Sequence, residues 1–178
     1  MRKRWRLCLW LGLLLLAGAM FLLPSIRWRV IGYVKGEAFY QSMPTSYWSR
    51  EAQQWELRTE FRPAGDVMSL GGHVRRWVRR SSPTEEFLER LTGNRAESGS
   101  ANLALLEPEL TALPVLVELL HDPVPEVRLI AVSGLRHLGQ QAKPALSALQ
   151  ALDDDENVEV RGAALWAIRC IQHGEQAP

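Results

Sequence analysis

The sequence contains few of the residues that build compact chemical sites. Only two cysteines occur, Cys8 and Cys170, and neither has a second cysteine at the spacing of a zinc motif. The four histidines show no H-x-x-x-H or H-E-x-x-H spacing, and the chain has neither a glycine-rich phosphate loop nor a G-x-S-x-G nucleophile elbow. These absences predict a protein without catalytic residues, metal, cofactor or small-molecule substrate.

An excess of charge of one sign is also lacking. The 178 residues include 21 lysines and arginines against 20 aspartates and glutamates, a net charge of +1. No global electrostatic field therefore attracts nucleic acid or acidic substrates. Nucleic acid is not among the predicted partners.

An uncharged segment lies near the start of the chain. Residues 7–23 carry no charge, and four of the six residues before them are basic. As a helix this run reaches roughly 25 Å, the short end of what crosses a bilayer core. The pattern predicts a membrane anchor over residues 1–25. The alternative is a cleaved signal peptide with its site at Ala17-Gly18-Ala19, although the apolar residues continue through that site.

The basic residues around this segment predict its orientation. Four precede it, whereas Arg27, Arg29 and Lys35 follow it. Because the more basic flank stays in the cytoplasm, the N-terminus is expected there. The sequence predicts a single-pass protein of the cytoplasmic membrane whose C-terminal domain lies on the extracytoplasmic side.

The region after the anchor is predicted to contain a stalk and then a helix. Residues 26–44 mix aromatic residues with glycines and predict an irregular stalk. A short helix is expected next, capped by Thr45 or Ser46. Three apolar residues share one face of it: Trp48, Ala52 and Trp55. Its two tryptophans are interpreted as core side chains or, alternatively, as an aromatic contact surface.

Residues 45–100 as a whole are predicted to be a helical region followed by a linker. A second helix is expected over residues 67–78, although Gly71-Gly72 weakens it by about 1 kcal/mol per glycine relative to alanine. Ser82-Pro83-Thr84-Glu85 forms a capping box and predicts a third helix over residues 83–92. The polar residues 94–101 are interpreted as the linker.

The C-terminal part repeats itself with an offset of 33 residues and no gap. Asp122 aligns with Asp155, and Arg128 aligns with Arg161. The apolar positions also align, and their spacing is helical on both sides of the aspartate. Pro125 suits the first position of a helix, and Asn157 is a helix cap in the other copy. Each copy is therefore predicted to be a helical hairpin, and such hairpins stack on one another.

These two copies resemble the HEAT repeat family, specifically its short bacterial form. The pattern D-x-x-x-(x/P)-V-R-x-x-A carries the resemblance, and it occurs twice. The matching positions are Asp122, Val127, Arg128 and Ala131, then Asp155, Val160, Arg161 and Ala164. By this resemblance, Asp122, Arg128, Asp155 and Arg161 stabilise the stack through polar contacts between repeats. The segment GEAFYQSMPTSYWSRE also resembles an element that follows the membrane segment in some bacterial HEAT-repeat proteins.

The predicted fold class is all-α, a short α-solenoid of HEAT-type hairpins behind an N-terminal transmembrane helix. The HEAT domain is expected over residues 101–173, with repeats at about 112–140 and 145–173. Helices at 83–92 and around 101–110 are expected to form a degenerate first unit, because a stable array needs about three repeats.

One charged cluster is a candidate interaction patch. The segment HVRRWVRR places four arginines around a tryptophan: Arg75, Arg76, Trp77, Arg79 and Arg80. Such a patch contacts anionic lipid headgroups or a protein. The alternative is a solvated helix face whose tryptophan packs inward.

The predicted function is recognition without turnover. The sequence indicates a membrane-anchored HEAT-repeat module that binds another protein, is not an enzyme and is held in the bilayer by residues 7–23. One alternative follows from resemblance, because some HEAT-like repeat proteins resemble the lyases that attach bilin chromophores to phycobiliproteins; these act as lyases or chaperones on another protein. The other alternative is a structural protein of the lipid surface that uses the Arg75–Arg80 patch.

Overall fold

The computed structural model describes residues 24–62, 72–80, 90–91 and 103–174. The first helices and strands along the described chain are α1 (Pro24–Lys35), β1 (Phe39–Tyr40), β2 (Met43–Pro44), α2 (Thr45–Ala52), β3 (Trp55–Arg62), β4 (Gly72–Arg79) and α3 (Leu113–Leu119). Helix α4 (Pro125–Leu138), α5 (Leu146–Gln150) and α6 (Val158–His173) follow. Short 3₁₀ helices lie at Leu110–Ala112, Gly139–Ala145 and Ala151–Asp154. The described part is mostly helical, as predicted.

The first described segment is not an irregular stalk, so that prediction was wrong. Residues 24–35 form α1, and β1 pairs antiparallel with β2. Helix α1 packs tightly here because Gly32 has no side chain: an added Cβ would overlap Pro44 and lie 2.8 Å from Phe39 Cζ. Among the described residues, no helix combines the length and the apolar character that a bilayer crossing requires. The predicted anchor, residues 7–23, lies outside the described residues.

Strand β4 replaces the described part, residues 72–78, of the helix predicted over residues 67–78, whereas residues 67–71 lie outside the described residues. Strands β3 and β4 pair antiparallel, with Trp55 opposite Arg79 and Leu57 opposite Trp77. The sequence WELRTEFR alternates apolar and charged residues with period 2, which favours a strand, and its partner is rich in valine and tryptophan. Of the helices predicted in residues 45–100, the first is present as α2. The second is wrong in its described part, because those residues form strand β4.

The two predicted repeats form two helical hairpins that pack side by side. Helices α3 and α4 form the first, α5 and α6 form the second, and α4 packs against α6. Pro125 begins α4, and the Asn157 side chain caps α6 by accepting from the backbone N–H groups of Glu159 and Val160. Both features were predicted from the sequence.

Residues 103–109 do not form the predicted helix of a degenerate first repeat. They form turns and a bend, yet Leu103 and Leu105 are buried. Gly134 of α4 lets this segment approach, because an added Cβ would overlap the Leu105 carbonyl oxygen. Arg90 and Leu91 are helical, whereas the capping box and the linker lie outside the described residues.

One apolar cluster joins the N-terminal elements to the repeats. Tyr40, Trp48 and Trp55 are buried in the same cluster as the apolar residues of both hairpins. The Trp48 indole Nε1 donates to the Tyr40 carbonyl oxygen at 3.1 Å. Both tryptophans of the predicted stripe are therefore core side chains, although Trp55 begins β3 and does not lie on α2.

Candidate functional site

The two inter-helix turns have the same internal hydrogen bonds. In the first turn, Asp122 Oδ1 accepts from the Val124 N–H at 2.9 Å, and Arg128 Nη1 donates to the Asp122 carbonyl at 2.8 Å. In the second turn, Asp155 Oδ1 accepts from the Asn157 N–H at 2.8 Å. Arg161 Nη1 donates to the Asp155 carbonyl at 2.5 Å. The repeated Asp and Arg thus fold each turn onto the helix that follows it.

Arg128 also joins the first repeat to the second. Its Nη2 donates to Asp155 Oδ1 at 2.8 Å, and its Nε lies 2.8 Å from Asp155 Oδ2. Both side chains are largely buried, with 13% and 6% of their surface exposed. This one hydrogen bond and the close Nε–Oδ2 ion contact join the two turns.

The ion pair also affects the acidity of Asp155. Burial opposes ionisation of this carboxyl group and by itself raises its pKa. Four opposing causes combine to outweigh burial: the hydrogen bonds from Arg128 and from the Asn157 N–H, and the positive charges of Arg128 and Arg161. Together they hold the pKa of Asp155 below its ordinary value.

The first turn has a different neighbour on its outer side. Asp122 Oδ2 accepts a hydrogen bond from Ser49 Oγ of α2 at 2.5 Å. Asp155 has the arginine of the preceding repeat, Arg128, as its partner on this side. Asp122 has Ser49 of α2 there instead. In this way α2 covers the N-terminal end of the hairpin pair.

A second polar contact fastens the N-terminal elements to α3. Glu118 accepts from the Ala38 N–H at 2.9 Å and from the hydroxyl of Thr45, which is itself buried. Thr45 was predicted to cap α2, but the N-cap is Pro44 and no side-chain cap bond forms. Sequence reasoning did not identify Glu118 or Ser49. The available signal was Glu118, the only charged residue in the apolar run of α3.

The two turns border an open groove of about 660 Å³. Nine residues line it: His121, Asp122, Pro123, Pro125, Arg128, Asp154, Asp155, Glu156 and Asn157. Because Asp122, Arg128 and Asp155 already bond one another or the backbone, the exposed charges of Asp154 and Glu156 dominate its rim. The groove can accept a polar, basic segment of another protein. Among the described residues, no cluster of histidine, cysteine, aspartate or glutamate has metal-binding geometry.

The arginine patch is divided by the strand on which it lies. Successive residues of β4 point to opposite faces, so the register positions of Arg75, Trp77 and Arg79 share one face and those of Arg76 and Arg80 share the other. Trp77 is half-buried and packs on the core. Arg79 donates to Gln54 Oε1 at 2.7 Å, and Arg80 Nε lies 3.6 Å from Glu56 Oε2. The four described side chains of this segment, Arg76, Trp77, Arg79 and Arg80, therefore do not form one patch.

Residues 100–169 match the family model of HEAT repeats. This match supports a HEAT-repeat domain in the C-terminal part of the chain, as the sequence pattern predicted. HEAT repeats commonly mediate protein–protein interaction, and the family is generally a non-catalytic scaffold. No curated protein and no solved structure matches the chain.

Proposed function

We propose that this protein is a membrane-anchored HEAT-repeat module that recognises another protein and performs no catalysis. The repeats form a short α-solenoid, residues 7–23 hold the chain in the cytoplasmic membrane, and the repeats lie on the extracytoplasmic side. The groove along the two turns supports recognition most directly. It is open, its walls are fixed by the buried Arg128–Asp155 pair, and its rim carries charges that bind no other part of the described chain.

A fixed, charged groove suits a protein partner better than a small molecule. Ligand pockets for small molecules are enclosed and mostly apolar, whereas this groove is open and lined mainly by polar side chains. Charged rims raise the rate and specificity of protein association more than its affinity. A basic segment of the partner is therefore expected to contact Asp154 and Glu156.

The exposed residues of α1 support the membrane anchor. Val30, Tyr33 and Val34 follow one another at helical spacing and are exposed, with 82% of Val34 accessible. Arg27, Arg29 and Lys35 are exposed beside them. An apolar stripe flanked by basic residues suits a lipid–water interface, and it directly follows the apolar segment of the sequence.

The test is crosslinking of the full chain in its native cells, followed by mass spectrometry of the crosslinked proteins. The key variant carries Asp154→Lys and Glu156→Lys on the groove rim. The control carries Glu107→Lys and Glu109→Lys, which change the charge equally at exposed positions outside the groove. A discrete partner that the control retains and the groove variant loses supports the proposal. No protein above background in any version contradicts recognition.

The topology is tested separately by a reporter fused after Pro178. A reporter that works only outside the cytoplasm is expected to be active. Activity of a reporter that works only in the cytoplasm overturns the proposed orientation.

A further inference from the structure

The last described helix exposes a leucine whose equivalent in the first repeat is buried. Val132 of α4 is 2% exposed, whereas Leu165, 33 residues later on α6, is 46% exposed. Leu129 is 8% exposed, and its equivalent, Gly162, meets nothing within 4 Å of an added Cβ. Helix α6 packs against α4, and we attribute the burial of Leu129 and Val132 to this packing.

Five residues of α6 form this surface, which we call the open face: Val158, Arg161, Gly162, Leu165 and Trp166. They recur at helical spacing and so share one side of the helix. Val158 is 69% exposed and Trp166 is 39% exposed. A glycine between such residues lets a second helix approach closely.

Arg161 of the open face is held as Arg128 is held, but it lacks the corresponding partner. Both arginines donate Nη1 to the carbonyl of their own turn aspartate. Arg128 then forms an ion pair with the turn aspartate of the following repeat. Among the residues that the structure describes, no carboxylate forms an ion pair with Arg161. The guanidinium of Arg161 is therefore oriented to bind a carboxylate at the position that the turn aspartate of a third repeat would occupy.

In a second copy of this chain, the two aspartates at the equivalent turn position are already engaged. Its Asp122 is bonded to its own Ser49, and its Asp155 is paired with its own Arg128. Two open faces packed antiparallel about Leu165 would also bring Arg161 of one copy towards the exposed Arg169 of the other, and like charges repel.

We infer that the open face docks a helical hairpin of a different protein, whose inter-helix turn offers a free aspartate or glutamate to Arg161. The partner's helix carries an apolar stripe that covers Leu165 and Trp166 and approaches at Gly162. The contact continues the Arg128–Asp155 interface across two chains. This inference rests on the proposed function for the existence of a protein partner, but it uses a different surface from the groove.

The experiment places a photo-crosslinking amino acid at Leu165 of the full chain in native cells. The control position is Ser147, which is exposed. Its equivalent in the first repeat, Pro114, is exposed as well, so the packing of one repeat on the next does not cover this position. The expected product joins position 165 to a helical hairpin that has an acidic residue in its turn. Position 147 is expected to give no such product.

Charge reversal then tests the ion pair itself. Arg161→Glu is expected to weaken the complex roughly tenfold or more, because it leaves the partner's carboxylate unpaired at the interface. Replacing that carboxylate by lysine in the partner restores binding. Arg136→Glu is the control, since Arg136 is exposed on α4 and lies outside the open face.

Several outcomes overturn the inference. One is a crosslink from position 165 to a second copy or to lipid, or the absence of any crosslinked protein. Another is equal affinity of the Arg161→Glu and Arg136→Glu variants for the partner. If groove positions still crosslink a protein while position 165 does not, the docking inference fails and the proposed function stands. If neither surface crosslinks any protein, both fail.

Discussion

The two ends of the repeat pair carry the same residues but have different neighbours. At the first turn, Ser49 of α2 donates to Asp122 and covers the end of the array. On α6, Arg161 donates only to carbonyl groups of its own turn among the described residues, and Leu165 and Trp166 are exposed. The repeated sequence builds both hairpins, whereas the function of each end depends on the elements that pack against it.

The largest expected effect separates the two arginines of the repeat. Arg128→Ala leaves the Asp155 carboxylate buried without its partner, so it is expected to lower the free energy of unfolding by about 3–5 kcal/mol. Arg161→Ala removes a hydrogen bond to a turn carbonyl and is expected to cost about 1 kcal/mol. Urea unfolding of the full chain measures both. Equal losses would show that the two arginines have equivalent surroundings, and the comparison of the two ends would fail.

The contribution of the Asp155 carboxylate to stability is expected to depend on pH. Because the pKa of Asp155 is lower in the folded chain than the ordinary value of about 3.9, its ionised form stabilises the fold. This contribution is complete above the unfolded-state pKa and is lost as the pH falls through the lower folded-state pKa. The stability difference between the wild type and Asp155→Asn should therefore be constant near pH 7 and shrink below about pH 4. Urea unfolding at a series of pH values tests this, and a constant difference down to pH 2 would contradict it.

Two helical glycines should respond oppositely to alanine. At Gly134 an added Cβ overlaps the Leu105 carbonyl and lies 3.0 Å from Leu116 Cδ2. Gly134→Ala is therefore expected to destabilise the chain by about 1–3 kcal/mol. At Gly162 the space is open, so Gly162→Ala is expected to stabilise it by up to about 1 kcal/mol through helix propensity. Thermal or urea unfolding of the two variants measures both changes. If both variants change the free energy of unfolding in the same direction, with Gly162→Ala also destabilising, the open face is contradicted.

A smaller effect is expected at the covered end. Ser49→Ala removes one hydrogen bond to the Asp122 carboxylate and should lower the free energy of unfolding by about 1.5 kcal/mol. The control is Arg50→Ala at the next residue of the same helix. Arg50 is exposed, and among the described residues it forms no hydrogen bond to the repeats. A Ser49→Ala variant as stable as Arg50→Ala would mean that α2 does not fasten the first turn.

The repeated part of this fold could be predicted from the sequence because its signals are local. Pro125, Asn157 and the aligned aspartates mark the turns and helix starts wherever they occur. The β-hairpin was missed because Val74, Trp77 and Val78 fit a helical stripe, while the pairing that makes them a strand comes from residues about twenty positions earlier. The alternation in WELRTEFR was the available signal.

The candidate site divides in the same way. The resemblance to HEAT repeats supplied Asp122, Arg128, Asp155 and Arg161, and the structure brings them together along the turns. Ser49 and Glu118 could not be found, because nothing local shows that α2 packs against the repeats from 73 residues away. The exposure of α6 is likewise a property of neighbours, and identical spacing in α4 and α6 gives no hint of it.

The smallest stability effect is expected where the docking effect is largest. Leu165→Ala removes an exposed side chain from a helix and should change the free energy of unfolding by no more than about 0.5 kcal/mol. Val132→Ala, at the equivalent position, should cost roughly 2 kcal/mol, since Val132 is buried and its truncation leaves a cavity. Urea unfolding of the two variants compares the ends directly. If Leu165→Ala costs as much as Val132→Ala, the open face is covered in the free chain, and no partner is needed to explain its apolar residues. If it costs nothing yet weakens binding of the partner that the position-165 crosslink identifies, the exposed leucine serves binding, because folding alone makes no use of it.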